Sequence, residues 1–330
     1  MAYLVTGGMG FIGSYVIRDL LKAGKVVVSL DVSGLTPLFR DVVGESNLDK
    51  VKIIQGDVSN TILVFETIQK HKINVIIHTA AIMTATSAIS SESQPAYAIQ
   101  VNCVGTNNLF EAARLFGLKK VVWTGTGQVL GQVGNYCKTA IGNDDAIYMP
   151  ENMYTATKLL CEVMTRVYAS RFGLDVVGLR IGLTLGIGKI HGKDNSFTQF
   201  IKNAATDVPT IMAAVDLDQP RAMGYIDNVS DLIVKVCETP ATKTKNFNAV
   251  EYPVSCRQLV EAIKRVNPKA SISLKDKVSS YEQTWPSTPE PRLDTNPIFQ
   301  EIGWKPKYSL DEAIRQIFNY FRKEKKMPLL

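Results

Sequence analysis

The sequence predicts an α/β fold in which a doubly wound parallel sheet carries a smaller C-terminal cap. Short apolar runs, each about as long as a strand, alternate with helical patterns through the first half of the 330-residue chain. These runs are apolar almost throughout, as in parallel strands that are covered by helices on both faces. The length fits one large domain or two closely packed ones.

The elements follow one another along the chain as strand, helix, strand. Apolar residues recur with helical spacing after the first run, and that pattern stops at Gly24. The strand-like runs are, in order, "AYLVTGG", "KVVVSLD", "VKIIQGDV", "NVIIHTAA", "KKVVWTGTG" and "LDVVGLRIG". The helical segments between them are "FIGSYVIRDLLKAG", "TILVFETIQKH", "VGTNNLFEAARLFG" and one that starts near Tyr154.

The pattern changes after about Thr184, where a Gly-rich polar segment replaces the alternation. Short helical patterns then recur, with a Pro- and Ser-rich loop among them. The segment "QPRAMGYIDNVSDLIVKVCE" predicts a strand and a helix that return to the sheet. The predicted division is a first domain of residues 1–183, joined by 222–240, and a cap of 184–221 and 241–330.

Composition and charge argue against several classes of protein. The formal charge of +6 is modest, and part of it lies in the terminal "RKEKK", which we interpret as a solvated helix end. No basic stripe is interleaved with aromatic residues, which disfavours a nucleic-acid partner. No apolar run reaches the length of a membrane span, and the first residues lack the basic region of a signal peptide. We therefore expect a cytoplasmic protein.

Cysteine and histidine usage fits that compartment. The five cysteines are scattered and form no CxxC, which predicts small buried thiols in a reducing environment. His71, His78 and His191 are the three histidines, and no two of them are spaced as metal ligands. We therefore expect no metal site.

The stretch "TGGMGFIG", Thr6 to Gly13, follows the first strand and opens the first helix. In that context Gly7 permits a tight turn, Gly10 lets the backbone approach a pyrophosphate, and Gly13 allows close helix–strand packing. The helix N-terminus then offers free N–H groups to the phosphates. The pattern predicts a dinucleotide site of the Rossmann type, although a merely tight turn would also need glycine.

Two acids extend this prediction along the sheet edge. Asp31 ends the second strand, roughly 20 residues on, where a carboxylate can bind the adenosine ribose hydroxyls. A 2′-phosphate would be repelled there and no cation immediately follows, which favours NAD over NADP, although Arg40 is close in sequence. Asp57 ends the third strand and can bond the adenine amino group, or else serve as a turn acid.

Tyr154 and Lys158 lie four residues apart in "YTATK", so a helix places them on one face. An ammonium at ~4 Å in an effective dielectric of ~20 is worth ~4 kcal/mol. If burial costs little, that interaction lowers the tyrosine pKa from about 10 to about 7, as a general base at neutral pH requires. The alternative is an ordinary pair on a helix surface.

Taken together, these motifs resemble those of an extended short-chain dehydrogenase/reductase of the NAD-dependent epimerase/dehydratase family. The similarity covers nearly the whole chain, and several motifs occur in family order at family-like spacing. Besides those above, they are "HTAA", "VNCVGTNNLFEAA", "VVWTGTGQVLG", "RAMGYIDNVSDL" and "LDTNPIFQEIGWKPKYSLDEAI".

The resemblance implies a role for each matching residue. Tyr154 would exchange a proton with a substrate oxygen that Thr126 also binds, with Thr124 the less favoured neighbour, and Lys158 would hold the nicotinamide ribose. The implied cofactor-binding set is Gly7, Gly10, Phe11, Ile12, Gly13, Asp31, Asp57, Val58, Thr79, Ala80, Ala81, Asn102, Tyr154 and Lys158. The implied substrate-binding set, partly in the cap, is Met83, Thr84, Thr126, Tyr154 and Arg221.

Three functions remain open from the sequence. The first is an NAD-dependent oxidoreductase that transfers hydride between nicotinamide and a secondary alcohol or ketone. The second is a nucleotide-sugar epimerase, in which the same hydride returns to the opposite face of a keto intermediate. The third is a non-catalytic NAD-binding sensor, which the presence of Thr126, Tyr154 and Lys158 disfavours.

Departures from the family pattern bear on the substrate. Gly127 and Gln128 stand where 4,6-dehydratases carry an Asp–Glu pair, and Leu183 stands where epimerases usually carry Asn. Arg221 and Arg292 match or lie near anion-binding arginines, although either could instead pair with acids such as Asp227 or Asp294. Tyr136 and Tyr148 are further candidate contacts.

The helix after Tyr154 is apolar on more than one face, as Leu160, Val163 and Val167 illustrate. One face can pack on the sheet. Family members often pair through this helix and the one that contains Leu109 to Phe116, so the resemblance implies a homodimer.

Overall fold

The computed structural model describes residues 1–83, 90–131, 140–145, 152–188, 196–279, 282, 284–285 and 292–330. The strands are β1 Ala2–Thr6, β2 Val26–Asp31, β3 Val51–Gln55, β4 Ile73–His78, β5 Lys120–Thr126, β6 Val176–Ile181, β7 Leu183–Leu185, β8 Thr210–Ala213, β9 Arg221–Tyr225, β10 Asn246–Ala249, β11 Tyr252–Val254 and β12 Ile272–Lys275. The helices are α1 Phe11–Lys22, α2 Pro37–Val43, α3 Thr61–Lys70, α4 Pro95–Ile99, α5 Gly105–Leu115, α6 Met153–Phe172, α7 Ser196–Ala205, α8 Ile226–Glu238, α9 Cys256–Val266 and α10 Leu310–Glu324. A π-helical turn, Gln100–Val104, joins α4 to α5 without a break.

Seven parallel strands form the main sheet in the order β10-β6-β5-β4-β1-β2-β3. The strand order reverses between β1 and β4, and ligands of doubly wound sheets bind beyond the carboxyl ends of the strands at such a point. The predicted α/β fold with a doubly wound parallel sheet is therefore confirmed, and the glycine-rich turn after β1 lies at this reversal.

Strand β10 was not predicted from the sequence. It pairs in parallel with β6, and its residues Asn246–Ala249 are buried. The sequence assigned residues 241–330 to the cap, and that boundary is wrong for this strand, which lies at the edge of the main sheet.

Helices cover both faces of the sheet. On one face, buried side chains of α1, α2 and α8, such as Ile17, Phe39 and Ile233, pack on the sheet. On the other face, α3, α5 and α6 contribute residues such as Ile68 and Phe110. Burial of each such side chain is worth about 1.5–3 kcal/mol, which explains why the strands are apolar on both faces.

The cap has a core of its own. It is built from α7, α9 and α10 with the β8–β12 pair, and its buried residues include Phe200, Ile263 and Phe318. Two α1 residues, Phe11 and Tyr15, belong to this same cluster. A three-stranded sheet, β11-β9-β7, adds buried residues such as Leu185 and Met223 to this cluster. The helix that follows the glycine-rich turn therefore joins the sheet to the cap.

A buried histidine connects β4, β1 and α5. The Thr6 hydroxyl lies 2.6 Å from Nδ1 of His78, and the Thr106 hydroxyl lies 3.0 Å from Nε2. Thr106 donates its own proton to the Asn102 carbonyl at 2.5 Å, so it must accept from Nε2–H. Burial lowers the pKa of His78 from 6.5 to about 3, so the ring is neutral, its proton lies on Nε2, and Nδ1 accepts from the Thr6 hydroxyl.

This burial predicts an acid-sensitive fold. Between pH 6.5 and about 3 the unfolded chain binds a proton at His78 that the folded chain excludes. The free energy of unfolding should then fall by up to about 5 kcal/mol as the pH drops through that window, and the contribution is complete above it. Urea unfolding at a series of pH values measures the slope.

The His78→Gln variant should be less stable at neutral pH but should lose less stability on acidification. The matched control is His71→Gln, which changes a partly exposed histidine at the end of α3 and should alter the slope less than His78→Gln does. Parallel curves for wild type and His78→Gln would contradict this account.

Candidate active site

The glycine-rich turn closes tightly on the end of β4. Gly7 has a φ of +69°, which favours glycine, and a Cβ there would lie 2.6 Å from the Ala80 nitrogen. A Cβ on Gly13 would lie 2.2 Å from the Gly7 carbonyl oxygen, so this position is packed inside the turn. Gly10 is the N-cap of α1, with no side-chain cap and no acid in the first turn. The helix N-terminus is therefore suited to a pyrophosphate.

Asp31 is held against the glycine-rich turn. Its carboxylate accepts hydrogen bonds from the backbone N–H of Met9 at 3.0 Å and of Ser33 at 2.9 Å. Arg40, the cation that could have favoured NADP, forms an ion pair with Glu45 at 2.9 Å. Its guanidinium is therefore engaged with another acid, and a free 2′-hydroxyl next to Asp31 remains the better fit.

A cavity of about 450 Å³ extends from this turn along the carboxyl ends of the strands. Most of the cofactor-binding, substrate-binding and catalytic residues predicted from the sequence lie in its wall. They are Gly7, Gly10, Phe11, Ile12, Asp31, Asp57, Val58, Thr79, Ala80, Ala81, Met83, Thr126, Tyr154 and Arg221.

Three predicted residues lie behind this wall rather than in it: Gly13, Asn102 and Lys158. Asn102, in the π-helical turn, accepts from the Ile82 N–H at 2.8 Å and donates to the Ile82 carbonyl at 2.9 Å. It also donates to the Thr157 hydroxyl at 3.0 Å. Its amide therefore anchors the segment after β4 to α6. The candidates Thr84, Tyr136 and Tyr148 lie outside the described residues.

Tyr154 and Lys158 differ from the sequence prediction. Lys158 Nζ donates to the Thr124 carbonyl at 2.9 Å and lies 5.9 Å from the centre of the Tyr154 ring. Burial raises the pKa of Tyr154 above its usual 10 and lowers that of Lys158. The predicted drop in the tyrosine pKa is wrong for the chain alone, because burial outweighs the attraction of a cation at this distance.

Thr126 ends β5 and begins a 3₁₀ turn, Gly127–Leu130. Its hydroxyl oxygen accepts from the Gln128 N–H at 3.2 Å, and no acceptor among the described residues takes its own proton, which can therefore bind a ligand in the cavity. Thr124 also lies in the wall, but its hydroxyl donates to the His78 carbonyl at 3.4 Å. The geometry thus leaves Thr126 as the better hydrogen-bond donor.

Comparison with known proteins identifies the family. The profile of the NAD-dependent epimerase/dehydratase family matches residues 3–249. This chain belongs to the NAD-dependent epimerase/dehydratase family. The UDP-glucose 4-epimerase of Mycolicibacterium smegmatis is 28% identical over 98% of this chain and 99% of its own length.

Solved structures agree with this assignment. The UDP-glucuronic acid 4-epimerase from Bacillus cereus, in complex with UDP-glucuronic acid and NAD, is 25% identical. The match covers 98% of this chain and 100% of that one, with a TM-score of 0.77. The L-threonine dehydrogenase of Clostridium difficile shares the fold, with a TM-score of 0.82 and 21% identity over 98% of both chains. The chain is therefore an NAD-dependent enzyme of the extended short-chain dehydrogenase/reductase class.

In this family member Arg221 is the one cationic side chain in the described cavity wall. It is 6% exposed and begins β9. Asp227, one of the acids considered as its partner, instead pairs with Arg18 at 2.7 Å. Arg292 is exposed and does not lie in the wall. Leu183, in β7, presents an apolar side chain to the cavity.

Several wall residues were not assigned to the site from the sequence, notably Tyr97, Gln128 and Thr184. Gln128 comes after β5 and Thr184 comes after β6. Because ligands of doubly wound sheets bind beyond the carboxyl ends of the strands, these positions in the sequence could have identified both residues. Tyr97 had no such signal, because α4 was not predicted.

Among the residues whose placement is known, no group of three or more His, Cys, Asp or Glu side chains could hold a metal ion. Within the same part of the chain, every helix is too short or too polar to cross a membrane.

Proposed function

We propose that this enzyme transfers hydride between NAD and a carbon that carries a secondary hydroxyl or ketone. The supporting observation is that the Thr126 and Tyr154 side chains share one cavity wall with the glycine-rich turn and Asp31. A substrate oxygen near these two side chains would lie in the same cavity as the dinucleotide. The family's enzymes use this cofactor, which leaves little support for a non-catalytic sensor.

The bound dinucleotide would accept or supply the hydride at its nicotinamide ring. In the proposed assignment, Gly7, Gly10, Phe11 and Ile12 hold its pyrophosphate through the N-terminus of α1, and Asp31 binds the adenosine ribose. The remaining contacts in the assignment are Asp57, Val58, Thr79, Ala80 and Ala81. Gly13 and Asn102 would act by shaping the turn and the neighbouring segment.

Tyr154 and Thr126 would handle the substrate oxygen. Because burial keeps the Tyr154 phenol protonated at neutral pH, it is suited to donate a proton to a ketone oxygen during reduction. Thr126 would donate a second hydrogen bond to that oxygen. In the opposite direction Tyr154 must first lose its proton, which positive charge nearby favours. Lys158, with its Nζ 5.9 Å from the centre of the Tyr154 ring, would supply such a charge at a distance.

For the substrate itself we favour a small alcohol or ketone with an anionic group that binds Arg221. Two features of the described wall support this class: Leu183 is apolar, and Arg221 is its one cationic residue. The second candidate is a nucleotide-sugar 4-epimerase, which is favoured by a curated relative and a solved structure that both carry that name and align along nearly their whole length.

We also propose that the sheet domain and the cap bind different ligands. The sheet with its helices, together with α8 and β10, would bind NAD, while the cap would contribute substrate contacts through β9.

A homodimer would form through α6 and its neighbour α5. Leu160, Val163 and Val167 are 47%, 48% and 45% exposed on α6, which leaves an apolar face to be covered.

The four described cysteines are buried and free, which is consistent with a cytoplasmic location.

Replacing Tyr154 with Phe removes the proposed proton donor. We expect kcat to fall by about 10²-fold or more while NAD affinity, measured by calorimetry, stays within a few-fold. In the wild type, alcohol oxidation should rise as the pH is raised above neutral, because burial makes the base form of Tyr154 the minor form at neutral pH. The control Tyr320→Phe, in α10, should leave both the rate and the pH profile unchanged. Turnover of Tyr154→Phe close to wild type would exclude the role.

Cofactor retention separates the two candidate reactions. A dehydrogenase must release its dinucleotide in each cycle, whereas an epimerase can keep it. We expect purified protein to lose NAD on gel filtration and to form NADH from added secondary alcohols. NAD that leaves only on denaturation, with interconversion of sugar nucleotides, would instead favour the epimerase.

The proposed dimer face predicts a specific change in oligomeric state. Val163→Glu would bury a carboxylate in the interface, which is costly, so light scattering should report a monomer. The matched control is Ile211→Glu, which places the same charge at an apolar residue of β8 that is 55% exposed. If both variants behave like the wild type, α6 does not form the interface.

A further inference from the structure

A buried ion pair lies on the same helix face as Tyr154 and Lys158. Glu162 follows Lys158 at the i+4 spacing in α6, and Arg180 of β6 donates two hydrogen bonds to its carboxylate, at 2.7 and 2.8 Å. Glu162 is 1% exposed and Arg180 is fully buried. The face of α6 that presents the proposed acid–base group is therefore fixed to β6, the strand next to β5.

The Arg180 guanidinium also reaches β10. Its Nη1 donates to Oδ1 of Asn248 at 3.0 Å, and the two residues are paired in register across β6 and β10. An arginine can only donate, so this contact fixes which end of the Asn248 amide is the oxygen. The Nδ2 group of Asn248 must then point away from the guanidinium.

Asn248 is fully buried and binds two segments of the chain that are distant from it in sequence, 141–143 and 292–294. Its Nδ2 donates to the carbonyls of Ile141 at 2.9 Å and Asp294 at 3.1 Å. Its backbone N–H donates to Oδ1 of Asn143 at 2.6 Å. The two segments also bind each other, because the Asp294 N–H donates to the Ile141 carbonyl at 2.8 Å. A single side chain therefore holds both segments against β10.

These two segments support the 3₁₀ turn Gly127–Leu130. Ile141 forms a small buried cluster with two apolar residues of that turn, and Leu293 packs against the cluster. A Cβ on Gly127 would lie 3.4 Å from the Leu293 side chain, so the turn rests directly on segment 292–294. Because the turn begins immediately after Thr126, the position of the Thr126 hydroxyl depends on the same support.

We propose that Asn248 is a positioning residue that aligns the Thr126 hydroxyl with the Tyr154 phenol. One end of its amide is connected through Arg180 and Glu162 to the α6 face of Tyr154, and the other end holds the support of the turn. The inference rests on the proposed function, in which both hydroxyl groups bind one substrate oxygen. Such groups must keep their relative position within about half an ångström, and an error of about 1 Å can cost roughly 10²-fold in rate.

The first test is Asn248→Asp, which keeps an acceptor for Arg180 and leaves the ion pair in place. It replaces the Nδ2 donor with an oxygen that faces two carbonyls, so segments 141–143 and 292–294 should separate from β10. We expect amide hydrogen exchange within residues 127–131 to accelerate by about tenfold or more, measured by mass spectrometry on the NAD-bound enzyme. On a secondary alcohol that the wild type oxidises, kcat should fall by about 10- to 100-fold, with KM and NAD affinity within about threefold of wild type.

Asn143→Ala tests the same connection from the other side without adding a charge. It removes the acceptor of the Asn248 backbone N–H and leaves the Asn248 side chain unchanged. Exchange of the turn and kcat should change in the same directions, each by about three- to tenfold. This variant decides the question if a carboxylate at position 248 prevents folding.

The matched control is Asn246→Asp. Asn246 also lies in β10 and is 1% exposed, but in the described part of the chain its amide donates to the Glu162 carbonyl, at 3.4 Å, and to neither segment. A buried carboxylate should lower the stability of this variant as well, while exchange of the turn and kcat keep their wild-type values. A purely structural role for Asn248 predicts that same result for Asn248→Asp.

The inference is overturned if kcat keeps its wild-type value in Asn248→Asp and Asn143→Ala, or if the turn exchanges at the wild-type rate in both. Either result leaves the proposed function intact. A wild type that binds NAD yet turns over no secondary alcohol, ketone or sugar nucleotide overturns the proposed function, and the alignment of Thr126 with Tyr154 falls with it.

Discussion

The close approach of the Gly7 backbone to Ala80 is the constraint on which the rest of the site depends. Any side chain at Gly7 would overlap the end of β4, so the first turn can lie against that strand only as glycine. This contact occurs where the strand order reverses, and it shapes the opening that becomes the cavity. His78, on β4, hydrogen-bonds Thr6 immediately before the turn, so the two strand ends are fixed on both sides of the opening. The carboxylates of Asp31 and Asp57 then fall at successive strand ends beside it.

Burial, rather than pairwise attraction, dominates the electrostatics of this site. Tyr154, Lys158 and His78 are all almost fully removed from water, and each has its pKa shifted toward the neutral form. Lys158 is stabilised by the Thr124 carbonyl rather than by a carboxylate. Burial therefore keeps the Tyr154 phenol in its protonated form in the chain alone.

The sequence contained most of the fold, because strand-length apolar runs and helical periodicity are local signals. Strand β10 was not predicted for a physical reason: it begins with Asn and carries Asn248, so a strand that is buried in the fold looks polar in the sequence. Its side-chain amide is satisfied by the Arg180 guanidinium and by the Ile141 and Asp294 carbonyls, all of which are distant in sequence. The site residues that could be predicted are those at the carboxyl ends of strands, such as Asp31 and Thr126. The place of Tyr97 in the site was not predictable, because it reaches the cavity wall from a helix that the sequence pattern did not reveal. Nor was the pKa of Tyr154 predictable, because the cost of desolvation depends on neighbours that only the fold brings together.

Helix α1 belongs to two cores at once. Its Ile17 and Leu20 pack on the sheet, whereas Phe11 and Tyr15 belong to the buried cluster of the cap. Phe11 also lies in the cavity wall. A chimaera that joined this cap to the Rossmann half of another family member would therefore have to carry these two aromatic residues with it. If only the cap's own segments of the chain were transferred, the transplanted cap would lack these two side chains, which form part of its core.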